Sequence, residues 1–132
     1  MATSILTITH GNLGQELIST AKTMLGTLPL KCENLSVSNT CNPEKLLAEA
    51  QSLCKKIDDG DGVLVLTDIF GSTPSNICSN LRNNTDLKIY VIAGLNLPML
   101  IRALNYPTLK LPDLVKKALS GAHDGIIDCQ VK

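Results

Sequence analysis

The sequence predicts an α/β fold, a doubly wound and mainly parallel sheet with helices on both faces. Short apolar or β-branched runs alternate with segments whose apolar residues recur at helical spacing. Turns containing glycine or proline separate these segments, and no repeat or low-complexity linker divides the 132 residues. Strands alternating with helices build right-handed βαβ units, which give a parallel sheet covered by helices. We expect residues 1–132 to form one domain.

Four strands are predicted from apolar runs. Residues 63–67, Val-Leu-Val-Leu-Thr, form the strongest of them, a run typical of a strand buried on both faces of a parallel sheet. Residues 5–9, 35–37 and 87–92 give three weaker strands. Residues 125–129 are interpreted as a short edge strand near the C-terminus.

Five helices are predicted from periodicity and terminal signals. They cover residues 13–25, 43–57, 75–82, 97–104 and 112–119. Gly26 suits the end of the first helix, where the chain often needs a positive φ. Asn42, Pro43 and Glu44 give the second helix a capping side chain, a proline at its first position and an acid in its first turn. Pro74 suits the first position of the third helix.

Composition excludes several classes of function. The formal net charge is zero and no basic run occurs, so nothing indicates binding to nucleic acid or to anionic lipid. Three aromatic residues, Phe70, Tyr90 and Tyr106, poorly supply a base-stacking surface. No apolar run approaches the ~18 residues of a membrane span, and the N-terminus has no positively charged region. We therefore expect a cytoplasmic protein.

Cysteine and histidine are sparse and scattered. The five cysteines never form C-x-x-C, and an odd number argues against a disulfide framework. With two histidines, a metal site would need carboxylates from unlinked segments. We predict no metal, no cofactor and no disulfide, and His123, in a polar turn, is interpreted as structural or solvated.

Residues that can carry chemistry follow three of the predicted strands. Ligands of open parallel sheets collect at the carboxyl ends of strands, and His10 follows the first strand while Asp68 follows the third. A neutral imidazole can attack a phosphoryl group through one ring nitrogen if a carboxylate holds the N–H of the other. We predict that pairing for His10 and Asp68; a hydrogen-bonded structural histidine and a helix-capping acid are the alternatives.

The segment Gly71-Ser72-Thr73-Pro74 can present backbone amides and two hydroxyl groups to an anion. It lacks the glycine pattern and lysine of a P-loop, so nucleotide binding is not indicated. Alternatively, Ser72 or Thr73 simply caps the next helix. The G-x-S-x-G pattern of serine hydrolases is absent.

Three motifs in order resemble the mannose-family enzyme IIA domain of the bacterial sugar phosphotransferase system. They are Thr9-His10-Gly11, the segment Thr67-Asp-Ile-Phe-Gly-Ser-Thr-Pro-Ser-Asn76 and the segment Val91-Ile-Ala-Gly-Leu-Asn-Leu-Pro-Met-Leu100. The likeness spans nearly the whole chain. Where that family usually has Gly-Gly-Ser-Pro, this chain has Gly71-Ser72-Thr73-Pro74, so Thr73 keeps the hydroxyl position and Ser72 replaces a glycine.

The resemblance implies a phosphoryl-transfer reaction. His10 accepts a phosphoryl group from phospho-HPr, through Nε2, while Asp68 holds Nδ1–H, and the group then passes to a histidine of a IIB protein. The set expected to contact the phosphate is Gly11, Gly71, Ser72 and Thr73. A rim expected to dock partners, with a core or dimer role as its alternative, consists of Phe70, Asn96, Leu97 and Met99.

The resemblance also implies an architecture and an assembly. It gives the sheet the strand order 2-1-3-4, with an antiparallel fifth strand at residues 125–129 that can be exchanged within a homodimer. Peripheral association with a membrane transporter complex is a further expectation. Two other interpretations stay open: a regulatory phosphoprotein whose phosphorylation state selects protein partners, and the related phosphotransfer subunit of dihydroxyacetone kinases.

Overall fold

A computed structural model describes residues 2–130, which form four β-strands and five α-helices. The strands are β1 (Ala2–His10), β2 (Cys32–Val37), β3 (Gly60–Thr67) and β4 (Ile89–Ala93). The helices are α1 (Leu13–Leu25), α2 (Pro43–Ile57), α3 (Thr73–Asn83), α4 (Leu97–Leu104) and α5 (Leu111–Asp124).

The strands form one parallel sheet in the order β2-β1-β3-β4, which confirms the predicted class and strand order. In the register of β1 with its neighbours, His10 is level with Val37 of β2 and Ile8 is level with Thr67 of β3. Because parallel strands end at the same edge, the segments after β1 and β3 leave the sheet side by side. This edge carries the candidate site.

Two apolar layers cover the sheet. One lies between the sheet and α1, α4 and α5, and includes Ile5, Leu64 and Leu100. The other lies between the sheet and α2 and α3, and includes Leu6, Val65 and Leu81. Since β1 and β3 are central strands with both faces covered, they hold the residues that follow them on a rigid support.

Local signals explain most helix ends. Asn42 accepts hydrogen bonds from the amides of Glu44 and Lys45 and caps α2, as predicted. Gly26, with φ of 84°, ends α1 and donates its amide to Lys22. The predicted bounds of α1 and α4 agree with the structure.

The C-terminal region differs from the prediction. Helix α5 continues to Asp124, five residues beyond its predicted end, and within the described chain residues 125–130 contain no strand. Gly121 lies inside α5, where a Cβ atom would collide with the side chain of Arg102 in α4, and Gly125 lies equally close to Pro98. The two glycines therefore serve close packing of α5 on α4. They let the end of α5 and the residue after it lie directly against α4.

The described residues also bear on membrane and metal sites. No helix within residues 2–130 is both long enough and apolar enough to cross a bilayer. Nor does that part of the chain contain a group of three or more histidine, cysteine or acidic side chains arranged to hold a metal ion. Burial raises the pKa of the thiols of Cys32, Cys54 and Cys78 to about 12, so these cysteines stay protonated at neutral pH.

Candidate functional site

The structure brings His10 and Asp68 together at the carboxyl edge of the sheet. Nδ1 of His10 lies 2.8 Å from Oδ2 of Asp68, and the same oxygen accepts the backbone amide of His10 at 3.0 Å. The side chain of His10 is 46% exposed, whereas that of Asp68 is 7% exposed. The carboxylate is thus enclosed, and the imidazole reaches toward solvent.

The charge state of Asp68 fixes the form of the imidazole. Partial burial by itself raises the pKa of Asp68, but hydrogen bonds from the ring and amide of His10 and from the amide of Ile69, with the charge of His10, outweigh it. The net pKa lies below its usual value, so the carboxylate is ionised at neutral pH. Because an ionised carboxylate only accepts hydrogen bonds, Nδ1 carries the hydrogen and Nε2 keeps a free lone pair when the ring is neutral.

The turn from β1 to α1 holds His10 on its other side. Gly11 adopts φ of 49° and donates its amide to the carbonyl of Val37 at 3.0 Å. Having no side chain, Gly11 has no other donor to offer, so this geometry does not support the prediction that it contacts a phosphate. Its function here is to let the chain turn sharply next to β2.

The loop from β3 to α3 leaves most of its donors available. The hydroxyl of Ser72 donates to the carbonyl of Ile69 at 2.6 Å, and Gly71 adopts φ of 84° to complete this turn. Ser72 occupies the N-cap position of α3 without a side-chain cap bond. Its hydroxyl proton is therefore donated to Ile69 and not offered to a phosphate, and its oxygen accepts no amide from the first turn of α3.

Several backbone amides at the start of α3 have no acceptor. Within residues 2–130, no hydrogen bond uses the amides of Gly71, Ser72, Thr73 or Ser75, and Pro74 has no amide hydrogen. Thr73 is exposed, and no bond within these residues uses its hydroxyl. Free amides at the start of a helix favour an anion, since the helix dipole adds to their positive charge.

Exposed apolar side chains flank the pair. Phe70 is 85% exposed and Ile69 is 61% exposed, both in the loop that begins with Asp68. Leu13, at the first position of α1 just after the His10 turn, is 46% exposed. Ile69 and Leu13 were not predicted as surface residues of the site, although both stand within three residues of a predicted site residue.

The segment after β4 does not serve the site as predicted. Met99 is 2% exposed and packs in the core, and Leu97 packs partly buried against the same layer, so both residues fit the core role that was the alternative to docking. Oδ1 of Asn96 accepts the amide of Met99 at 2.9 Å, and its Nδ2 donates to the carbonyl of Ala122 at 3.3 Å. Asn96 therefore caps α4 and ties it to α5.

Comparison with known proteins assigns the family. Residues 4–119 match the family model described as PTS system fructose IIA component. The PTS system mannose-specific EIIAB component of Escherichia coli K12 is 34% identical over 108 residues, which are 79% of this chain and 32% of that protein. The transcriptional regulatory protein LevR of Bacillus subtilis is 29% identical over 111 residues, 81% of this chain and 11% of that protein.

Similarity to solved structures agrees with this. The phosphotransferase system component EIIA from Streptococcus agalactiae has a TM-score of 0.83 at 29% identity, covering 98% of this chain and 99% of that one. The curated relatives are much longer, and the chain spans about a third of the EIIAB component. Its fold, the motifs at its strand ends and the family match agree: the chain belongs to the mannose-family enzyme IIA components of the phosphotransferase system.

Proposed function

We propose that this chain carries a phosphoryl group on Nε2 of His10, accepting it from phospho-HPr and passing it to a histidine of a IIB protein. The observation that supports this most directly is the bond of 2.8 Å between Nδ1 of His10 and Asp68, on a ring that is 46% exposed. A nucleophile needs one nitrogen free and the ring held in place, and this pair offers both.

The transfer is a displacement at phosphorus. The lone pair of Nε2 forms the new N–P bond while the N–P bond of the donor phosphohistidine breaks and its electron pair returns to the donor ring. Nδ1 keeps its hydrogen throughout, and the negative charge of Asp68 stabilises the positive charge that develops on the ring. Transfer to the IIB histidine repeats the step with His10 as the leaving group.

The free amides at the start of α3 support a role in holding the phosphoryl oxygens. The amides of Gly71, Ser72 and Thr73 and the hydroxyl of Thr73 have no partner within residues 2–130. This set keeps three residues of the predicted phosphate contacts and omits Gly11. Charge stabilisation by positioned donors is the main requirement of phosphoryl transfer, and no cofactor is needed for it.

Partner proteins would dock on the exposed apolar side chains that follow His10 and Asp68 in sequence, Phe70 above all. Phe70 is the most exposed large apolar residue within residues 2–130, at 85%. Aromatic anchors carry much of the binding energy of protein interfaces. We place the reaction in the cytoplasm, with peripheral contact to a membrane transporter complex through the IIB protein. A homodimer is part of the same proposal.

Phosphorylation tests the proposal directly. Incubation with phosphoenolpyruvate, enzyme I and HPr should label the protein with an acid-labile, base-stable phosphate. His10→Ala should abolish the label. The matched control is His123→Ala, which removes the exposed histidine in the last turn of α5 and should leave labelling unchanged. Label that persists in His10→Ala would falsify the proposal.

Regulation is the second candidate function. The similarity to LevR, named a transcriptional regulatory protein, over 81% of this chain favours it. Under this alternative, the phosphorylated and unphosphorylated forms bind different proteins, and sugar transport does not depend on the chain. Transfer of the label to a IIB protein encoded nearby, together with loss of one sugar's uptake on deletion, supports relay; transfer without any loss of uptake supports regulation.

A further inference from the structure

The residue before His10 links the strand to the following helix. Thr9 is fully buried, and its Oγ1 accepts the amide of Gly14, in the first turn of α1, at 2.8 Å. Helix starts are usually capped by the N-cap side chain, but Asn12, at that position, makes no such bond. A side chain from β1 therefore does the capping, across the turn that contains His10.

The other bonds of this turn go to neighbouring strands. The amide of His10 is donated to Asp68 at 3.0 Å, and the amide of Gly11 to the carbonyl of Val37 at 3.0 Å. These contacts fix the turn to β3 and β2. The Thr9 contact fixes it to α1, so the three residues 10–12 are held from three directions.

Helix α1 packs unusually close to the sheet at this point. A Cβ atom on Gly14 would collide with Oδ1 of Asn34 and with the hydroxyl group of Thr7. Thr7 is itself fully buried and donates to Asn34 at 2.7 Å. Glycine thus permits the approach, and the bond from Gly14 to Thr9 sets where α1 begins relative to β1.

We infer that Thr9 is a positioning residue for phosphoryl transfer at His10, an inference that rests on the proposed function. If Thr9 loses its hydroxyl group, the buried amide of Gly14 has no acceptor, and the start of α1 moves to regain one. Only residues 10–12 separate the two ends of this bond, so the movement reaches the imidazole. A misplacement of ~1 Å can slow an enzymatic step about 100-fold.

Three variants separate positioning from stability. Thr9→Val removes the hydroxyl group with almost no change of shape, and Thr9→Ser keeps it. Ser4→Ala is the control, because it removes another buried hydroxyl group of β1, one that donates to the carbonyl of Ile57 at the end of α2 and not to α1. Each full-length variant is measured for its second-order rate of phosphorylation by phospho-HPr, its thermal unfolding, and the NMR signal of the Nδ1 hydrogen of His10.

The expected result is specific to Thr9→Val. At temperatures where the variant is still folded, its phosphorylation rate is at least tenfold lower than that of the wild type. Its Nδ1–H signal broadens as the bond to Asp68 loosens. Thr9→Ser and Ser4→Ala stay within twofold of the wild type and keep the signal, although Ser4→Ala loses stability. Equal rates and equal signals in Thr9→Val and Ser4→Ala overturn the inference.

The test also distinguishes the inference from the proposed function. If the wild type takes no phosphate from phospho-HPr, the proposed function fails, while the Nδ1–H signal still decides whether Thr9 orients His10. If Thr9→Val does not fold, Thr9→Cys replaces it, since a thiol accepts hydrogen bonds weakly. The same signal should then broaden, and an unchanged signal and rate contradict the inference.

Discussion

Two segments at the carboxyl edge of the sheet differ in how they use their polar groups. In the turn after β1, the amide of His10 is bonded to the side chain of Asp68 and the amide of Gly11 to Val37 of β2. In the loop after β3, the amides of Gly71 and Ser72 have no partner within residues 2–130, and Phe70 is 85% exposed. One segment is fixed and the other is open.

The difference corresponds to two requirements of the phosphoryl carrier that we propose. A nucleophile gains from being held in one orientation, because the reacting atoms must lie in line. The groups that contact the phosphate and the partner must instead be accessible. Asp68 joins the two segments, since it begins the open loop and accepts two hydrogen bonds from His10.

The largest effect should come from replacing Asp68, the residue that connects the two segments. We expect Asp68→Asn to slow phosphorylation about 100-fold or more, because the amide cannot stabilise the positive ring and Nδ1 loses a charged acceptor. The measurement is the single-turnover rate with phospho-HPr. Asp113→Asn, which changes an exposed acid in the first turn of α5, is the control and should leave the rate unchanged. Equal rates for the two variants would remove Asp68 from the mechanism.

A smaller effect is expected from the open loop. Phe70→Ala should raise the KM for phospho-HPr about tenfold, equivalent to about 1.4 kcal/mol, with little change in kcat. The reason is that Phe70 would contact the partner without touching the ring. Met24→Ala removes another exposed apolar side chain, 59% exposed at the far end of α1, and should change neither constant. A loss confined to kcat would show instead that Phe70 shapes the reacting site.

The strands and helices that position the site were predicted from the sequence better than the contacts that individual residues make there. Helices α1 and α2 were predictable because their ends carry local signals, Gly26 for α1 and Asn42 with Pro43 for α2. The position of His10 beside Asp68 follows from parallel strands that end at one edge. Each of these features depends on a short stretch of sequence or on topology alone.

Tertiary contacts explain what the sequence did not predict. Gly121 indicates a helix end by propensity, yet it lies inside α5 because Arg102 of α4 packs against it. The amide of Gly11 is not free to bind a phosphate, because the carbonyl of Val37, 26 residues away in sequence, accepts it. Met99 follows a strand end like the residues of the site, but α4 turns it into the core. Such outcomes depend on distant residues.

The smallest effect concerns pH and Asp68. The pKa of Asp68 is lower in the folded chain than in the unfolded chain, where an aspartate titrates near pH 3.9. The folded state therefore binds fewer protons at that site, and the stabilisation is present above about pH 4 and lost as the pH falls through the folded pKa. We expect the free energy of unfolding to fall more between pH 6 and pH 3 in the wild type than in Asp68→Asn.

Urea unfolding at intervals of half a pH unit measures this difference. The wild type should lose more free energy of unfolding than the variant, by no more than about 1.3 kcal/mol at pH 3, because that pH lies only about one unit below the pKa of an unfolded aspartate. Equal losses would mean that the hydrogen bonds from His10 and Ile69 do not favour the charged carboxylate. The charge of Asp68 would then not be what connects the fixed turn to the open loop. A larger loss in the wild type is the result expected if the ionised carboxylate of Asp68 holds His10 to the loop after β3.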